Sequence, residues 1–375
     1  AFLTSIGLVF CLYTVIPQMA NFGLVFFKYL TIEPVFSESL PDLLPATAGA
    51  AARLAQQFAP TVRFFGLNFS EAVFTVFSQG GLILTFIVML CRKWRRSESH
   101  LLGKLWAAGF FVWIQILLLG NALPLIHSGD LFPSRAFFRM AQVVPNWTPK
   151  PAEAVVMSGI YGLVTLLLIF VLCRIITPTP QSQISGWRRA RKQGATSLPL
   201  LADAATAFWS VLFMAVVGSV GWFWFTRGIV ESRWFPGHEV PFRTLGFFVA
   251  VMLSSVLGFH AILEAKSGRV ILLVGILVGV VPLMAGTVLG TSERMLPGAA
   301  WLMAISPLST PFYAVGTLLS IAELPPEVAR AVPRAFYFWL AISLLACAWL
   351  LLNLWTSRKA MAARVLGAPA EGQGT

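Results

Sequence analysis

Long apolar runs separated by short polar segments are the main pattern of this chain. A helix needs about 20 mostly apolar residues to cross a bilayer. Residues 31–70 form a proline- and alanine-containing interruption and are predicted to be a loop with a weakly amphipathic stretch near 50–65. The pattern predicts about eight transmembrane helices, within 1–30, 71–91, 105–126, 154–176, 204–226, 242–263, 270–290 and 335–356. We therefore predict an all-α, polytopic integral membrane protein.

Basic residues cluster at the ends of the apolar runs, and their distribution predicts an orientation. If the cluster 92–96 is cytoplasmic, alternation of the spans also places 174–203, 264–269 and 357–375 in the cytoplasm. All four segments are basic, as the positive-inside rule requires. This orientation predicts a cytoplasmic C-terminus.

One further apolar segment, 297–320, is broken by prolines and does not fit this alternation as a span. If it crossed the bilayer, the basic C-terminal tail would move to the outside. Backbone broken by proline is tolerated at membrane depth where protein or water surrounds it. We predict a re-entrant helical element, whose marker residues are Pro297, Ser306, Pro307 and Pro311.

Composition agrees with a membrane location and excludes a nucleic-acid-binding protein. Hydrophobic residues make up 57% of the chain and charged residues only 11%, against about 25% charged residues in soluble domains. The net charge of +12 comes from short clusters at span ends, and no basic stripe interleaves with aromatic residues. Membrane lipid is therefore an expected partner, and nucleic acid is not.

Few residues inside the spans could carry chemistry. His260 and Glu264 are four residues apart on one helix face, a spacing that suits a proton relay, a metal site or a pair solvated at the span end. Gln115 and Asn121 lie within one span, where amides either pair between helices or line a path. The four cysteines show no ligand spacing and are predicted to be buried small residues, so no metal site is expected.

The sequence contains no P-loop, no G-x-S-x-G and no HExxH motif. We therefore expect no intrinsic catalytic activity. The absence of carboxylates inside the spans also argues against a proton- or sodium-coupled transporter. The remaining pattern is a set of apolar helices with basic connections, which are either topology signals or docking surfaces for a soluble partner.

The C-terminal part of the chain resembles a known family. The run Ser254-Ser255-Val256-Leu257-Gly258 is followed by a short polar link at 264–269, by Val280-Val281-Pro282-Leu283 and by Leu296-Pro297-Gly298. The segment Ala304-Ile305-Ser306-Pro307-Leu308-Ser309-Thr310-Pro311 completes this order. Over residues 242–357 the chain resembles ABC-2 type transporter permeases.

The resemblance implies the membrane subunit of an ATP-driven transporter in the plasma (inner) membrane of a bacterium. A separate soluble P-loop ATPase would bind ATP and Mg²⁺, this chain would bind no cofactor, and a second permease copy would complete the path. The implied docking residues are Trp187, Arg188, Arg189, Arg191, Lys192, Glu264, Lys266 and Arg269. Gln115, Asn121 and His260 are the possible path-lining residues.

The resemblance also divides the chain. Residues 1–100 would hold two additional helices with an extracytoplasmic loop, 101–357 the six-helix permease core, and 358–375 a cytoplasmic tail. Two other hypotheses remain open. One is a membrane enzyme of lipid or glycan assembly with Asp130, His238 and Glu239 in its outer loops. The other is a non-catalytic scaffold subunit of a membrane complex.

Overall fold

A β-hairpin and a series of long helices make up the part of the chain that the structure, a computed structural model, describes. That part comprises residues 61–95, 100–129, 131–132, 134, 148–178, 180–192, 202–264, 273, 275–289, 298–299, 301–302, 306, 337–353 and 355–356. The long helices are α1 (Glu71–Arg95), α2 (Lys104–Ser128), α3 (Pro151–Ile176), α5 (Phe208–Val230) and α6 (Leu245–Glu264). A shorter helix, α4 (Pro180–Lys192), lies between α3 and α5 in the sequence.

Five of these helices are long and apolar enough to cross a membrane: α1, α2, α3, α5, and α6 together with the 3-10 turn Phe242–Thr244 that precedes it. They correspond to the second to sixth predicted spans. The chain is therefore a helical integral membrane protein, as the sequence predicts. The first predicted span, 1–30, lies outside the described residues.

The seventh and eighth predicted spans are helical but shorter within the described residues. The seventh consists of a π-helical segment, Gly275–Val280, followed directly by α7, Val281–Leu289. Pro282 lies in the first turn of α7 and has no backbone N–H to donate. The eighth is represented by α8, Tyr337–Asn353. The count of eight spans stays a prediction.

Two segments differ from the sequence-based expectations. The predicted loop 31–70 ends in a hairpin of strands β1 (Thr61–Phe64) and β2 (Leu67–Ser70), which pair antiparallel. Its two-residue turn is Phe65–Gly66, and both residues have positive φ angles of 47° and 85°, as a type I′ turn requires. The basic segment 174–203, treated in the sequence analysis only as a connection between spans, contains the 13-residue helix α4.

Local sequence signals explain where several helices begin. Ser70 Oγ accepts the N–H of Val73 at 3.3 Å and caps α1. Proline is the first residue of α3 and of α4, where its missing N–H costs nothing. Thr206 Oγ1 accepts the N–H of Phe208 at 3.1 Å at the start of α5.

The described chain divides into two compact units. Unit 1 comprises Ala1–Ile87, Trp113–Ser158 and Phe223–Val240. Within it, Ser158 and Thr226 form a buried hydrogen bond of 2.5 Å between α3 and α5. Trp234 Nε1 donates to the carbonyl of Ile126 at 2.8 Å and ties the segment after α5 to α2. Polar contacts of this kind join helices where lipid offers no alternative partner.

Unit 2 comprises Val88–Val112, Gly159–Trp222 and Pro241–Thr375. Aromatic pairs connect its helices: Trp222 on α5 meets Phe248 on α6 edge-on at 4.8 Å, and Phe170 on α3 stacks on Phe259 of α6 at 4.2 Å. A buried apolar cluster joins α5, α6 and α8. Its members are Phe208, Leu257, Ala346 and Leu350.

Candidate functional site

The polar residues of unit 2 concentrate in two places, and the first is a set that we call the linker cluster: Arg92, His100, Lys104 and Asp203. Arg92 at the end of α1 forms an ion pair with Asp203 at 2.5 Å. Arg92 Nε also donates to the carbonyl of His100 at 3.4 Å. The cluster therefore connects the α1–α2 link to the segment that leads into α5, about 100 residues further along the chain.

Lys104 is the most deeply buried member of the linker cluster, with 2% of its surface exposed. It is the first residue of α2, where the helix dipole disfavours a cation. Its position is stabilised by two charge-assisted hydrogen bonds, from Nζ to the carbonyls of Ala202 and Ala205 at 2.5 and 2.6 Å. These bonds fasten the segment before α5 to the start of α2.

The linker cluster disfavours the charged form of His100. Burial lowers the pKa of His100; the Asp203 carboxylate opposes this, and the cations of Lys104, Arg92 and Lys93 lower the pKa further. Its Nε2 atom is buried without a hydrogen-bond partner among the described residues. Protonation therefore adds a positive charge beside three cations, opposed by the one carboxylate of Asp203.

This lowered pKa predicts an acid-sensitive linker cluster. The unfolded chain binds the proton more tightly than the folded chain, so stability that is present above the unfolded pKa is lost as the pH falls through the folded pKa. We expect the thermal midpoint in detergent to fall more between pH 7.5 and pH 5 in the wild type than in His100→Gln. If the thermal midpoints of the two proteins fall equally, His100 does not cause the acid sensitivity, because the other titrating groups are common to both proteins.

Helix α4 carries the exposed charge of the predicted docking residues. Arg188, Arg189 and Lys192 are exposed, and Trp187 is half-buried; we call these three cations the basic platform. The backbone of α4 contains Arg191, but its side chain lies outside the described set. Lys266 and Arg269 lie outside the described residues altogether.

Helix α4 also contacts the linker segment. A Cβ at Gly186 would overlap the Cβ of Ala204, so α4 lies directly against that residue. Ala204 is flanked by the residues that Lys104 and Arg92 bind. The segment 202–205 therefore contacts α4 on one side and Arg92 of α1 and Lys104 of α2 on the other.

The second polar set is buried between α3 and α6. The ring of His260 places Nδ1 at 3.4 Å from Cys173 Sγ and at 3.5 Å from Thr177 Oγ1. Its Nε2 is 3.3 Å from Glu264 Oε1. That distance suits an ion pair, but Nε2 makes no hydrogen bond of good geometry, so we treat the contact as electrostatic. The spacing of His260 and Glu264 predicted their contact, whereas no sequence pattern indicated the contact with Cys173.

The other possible path-lining residues are buried in unit 1. Gln115 and Asn121 are 3% and 2% exposed, and Asn121 Nδ2 has no hydrogen-bond partner among the described residues. Within those residues, no group of three His, Cys, Asp or Glu side chains converges as metal ligands do. The cysteines differ: Cys173 is buried as predicted, whereas Cys91 is exposed.

Other predicted residues contribute less to the candidate site. Ser306 of the predicted re-entrant element is buried, but Pro297, Pro307 and Pro311 lie outside the described residues. His238 and Glu239, candidates for an outer enzymatic site, are both exposed, and Asp130 lies outside the described part. No family model, curated protein or solved structure matches this chain.

Proposed function

We propose that this chain is the permease subunit of an ATP-driven transporter of the ABC-2 type. In this proposal eight helices cross the membrane of a bacterium, with 297–320 re-entrant and the C-terminus cytoplasmic. A second copy of the chain completes the path for the cargo. ATP and Mg²⁺ bind to a soluble partner, because the chain itself has no P-loop.

The observation that supports this function best is the basic platform on α4. Three cations are exposed on one short helix between two spanning helices. A surface charge of this density suits an acidic surface on a soluble protein, since complementary charge guides association. The contact of Gly186 with Ala204 gives a route from that surface to the transmembrane helices.

In this proposal, energy from ATP acts as a shift between two arrangements of the helices. ATP binding closes the ATPase dimer and moves α4. The linker cluster then carries that movement to α1, α2 and α5, because Lys104 and Arg92 fix the linker segment to both helix ends. Such a shift requires only that the ATPase bind the two arrangements with different affinity.

Charge reversal on the basic platform tests the docking surface. The double variant Arg188→Glu/Arg189→Glu is expected to weaken binding of the P-loop ATPase by about tenfold or more, because two attractive contacts become repulsive. Affinity would be measured with the chain in lipid nanodiscs and the ATPase that co-purifies with the wild type. Binding should also weaken as salt rises.

Arg243→Glu is the matched control, because Arg243 is an exposed arginine before α6 and outside the platform. It should leave ATPase affinity unchanged. If the double variant and the control bind equally well, the ATPase does not use α4.

A further inference from the structure

The turn of the β-hairpin is docked on a break in the hydrogen bonding of α2. Pro124 lies inside α2 and has no N–H, so the carbonyl of Gly120 cannot form its ordinary bond within the helix. The backbone N–H of Phe65 donates to that carbonyl at 3.0 Å. The hairpin therefore supplies the donor that Pro124 removes.

The side chains at this contact fit only because position 120 is a glycine. A Cβ there would overlap the rings of Phe64 and Phe65. Gly120 lies eight residues before the end of α2, which is about 12 Å along the helix axis. The turn thus reaches well into the length of a spanning helix.

The docked hairpin is exposed on part of its surface and carries two energetic costs. Phe65 and Leu67 are 53% and 62% exposed, so one side of the hairpin is not covered by the described residues. Phe65 adopts a left-handed φ of 47°, which is strained for a residue with a Cβ. Beside the docking point, Asn121 keeps a buried amide without a partner among the described residues.

The hydrogen bond to Gly120 favours the docked position, whereas the strained φ of Phe65 and the amide of Asn121 disfavour it. Such a balance suits an element with two positions. When the turn leaves, the carbonyl of Gly120 loses its donor, and at membrane depth only water or protein can replace it. Undocking therefore requires that water or another protein donor reach the carbonyl of Gly120. We propose that the hairpin is the extracytoplasmic gate of the translocation path, closed when its turn is docked on Gly120 and open when the turn leaves; this role rests on the proposed function.

Hydrogen exchange of the Phe65 amide tests the gate in the intact chain in nanodiscs. In the wild type this amide should exchange at least about tenfold faster than amides in the interior of α2, because the hairpin opens without global unfolding. Pro124→Ala restores a helical donor for Gly120 and should raise hairpin exchange about tenfold further. Gly120→Ala should do the same through overlap with the rings.

Gly109→Ala is the matched control, since no atom lies within 4 Å of a Cβ at Gly109 in the same helix. It should leave hairpin exchange unchanged. Pro124→Ala regularises α2 and is expected to fold, so it keeps the test decisive if Gly120→Ala does not fold. Protection of Phe65 equal to that of α2 in the wild type, or unchanged exchange in Pro124→Ala, overturns the gate.

A reversible crosslink separates the gate from the proposed function. The pair Phe64→Cys/Gly120→Cys, oxidised to a disulfide, should lower ATP turnover of the assembled complex at least about fivefold, since a closed gate stalls the cycle. Reduction of the disulfide should restore ATP turnover. The same double variant kept reduced is the control. Unchanged turnover in the crosslinked complex overturns the gate while the permease role stands. If no ATPase binds at all, the proposed function fails, and the exchange comparison alone decides whether the hairpin opens.

Discussion

Lys104→Met is expected to destabilise the protein by about 3 kcal/mol. Two hydrogen bonds from a charged donor are lost, and the carbonyls of Ala202 and Ala205 lose that donor. Methionine keeps most of the volume of the lysine side chain, so the loss reports the ammonium group rather than a cavity. The measurement is thermal or denaturant unfolding of the purified protein in one detergent, with wild type and variant compared directly.

Lys192→Met is the matched control for this substitution. Lys192 is exposed on α4, and its replacement should change stability by less than about 0.5 kcal/mol. Equal stabilities of Lys104→Met and wild type would show that water satisfies the carbonyls of Ala202 and Ala205. The linker cluster could then no longer be regarded as the fastening between α2 and the segment before α5.

Gly218→Val is expected to destabilise the packing of α5 in unit 2 by about 3 kcal/mol through overpacking. A Cβ at Gly218 would lie 2.9 Å from Thr165 Cγ2 and 3.3 Å from atoms of Ile169 and Phe111. These residues belong to α3 and α2, so the added side chain pushes against two helices at once. Small residues at such crossings allow spanning helices to approach closely.

Gly109→Val provides the comparison, because position 109 is helical and open. Both substitutions replace a helical glycine by valine, so the change in helix propensity is the same in both. The difference between their stabilities therefore reports packing. Unfolding in the same detergent should show a clearly lower midpoint for Gly218→Val than for Gly109→Val. Matching midpoints would mean that α5 is not packed against α2 and α3 at this glycine.

The spanning helices were predictable because the physical requirement is local. A run of about 20 apolar residues is enough to cross the bilayer, and five predicted runs correspond to helices of that length. Their ends differ by a few residues: the predicted span 204–226 is observed as Phe208–Val230. Charged and polar residues within a turn of the boundary do not fix where a helix begins.

The hairpin and α4 were missed although the sequence contains signals for both. Thr61–Phe64 and Leu67–Ser70 flank a two-residue turn that ends in Gly66, which is part of a hairpin signal, although Phe65 stands where Asn, Asp or Gly is usual. Pro180 is followed by twelve residues without another proline. This pattern favours a helix that begins at Pro180. Both were missed because each segment between two spans was interpreted as a loop.

The polar clusters could not be predicted, because their members are distant in sequence. Arg92 and Asp203 are 111 residues apart, and Cys173 and His260 are 87 residues apart. His260 and Glu264 lie on one helix face, and their contact was predicted from that spacing. A single sequence carries no signal for contacts that the packing of several helices creates.

Photocrosslinking from α4 tests the central claim most directly. A photoreactive amino acid at position 189 would be activated in native membranes, and the crosslinked species would be identified by mass spectrometry, with position 243 as the control. We expect a soluble protein with a P-loop to be captured from position 189 and not from position 243. Capture of lipid alone from position 189, or equal capture from both positions, would contradict docking of an ATPase on the basic platform.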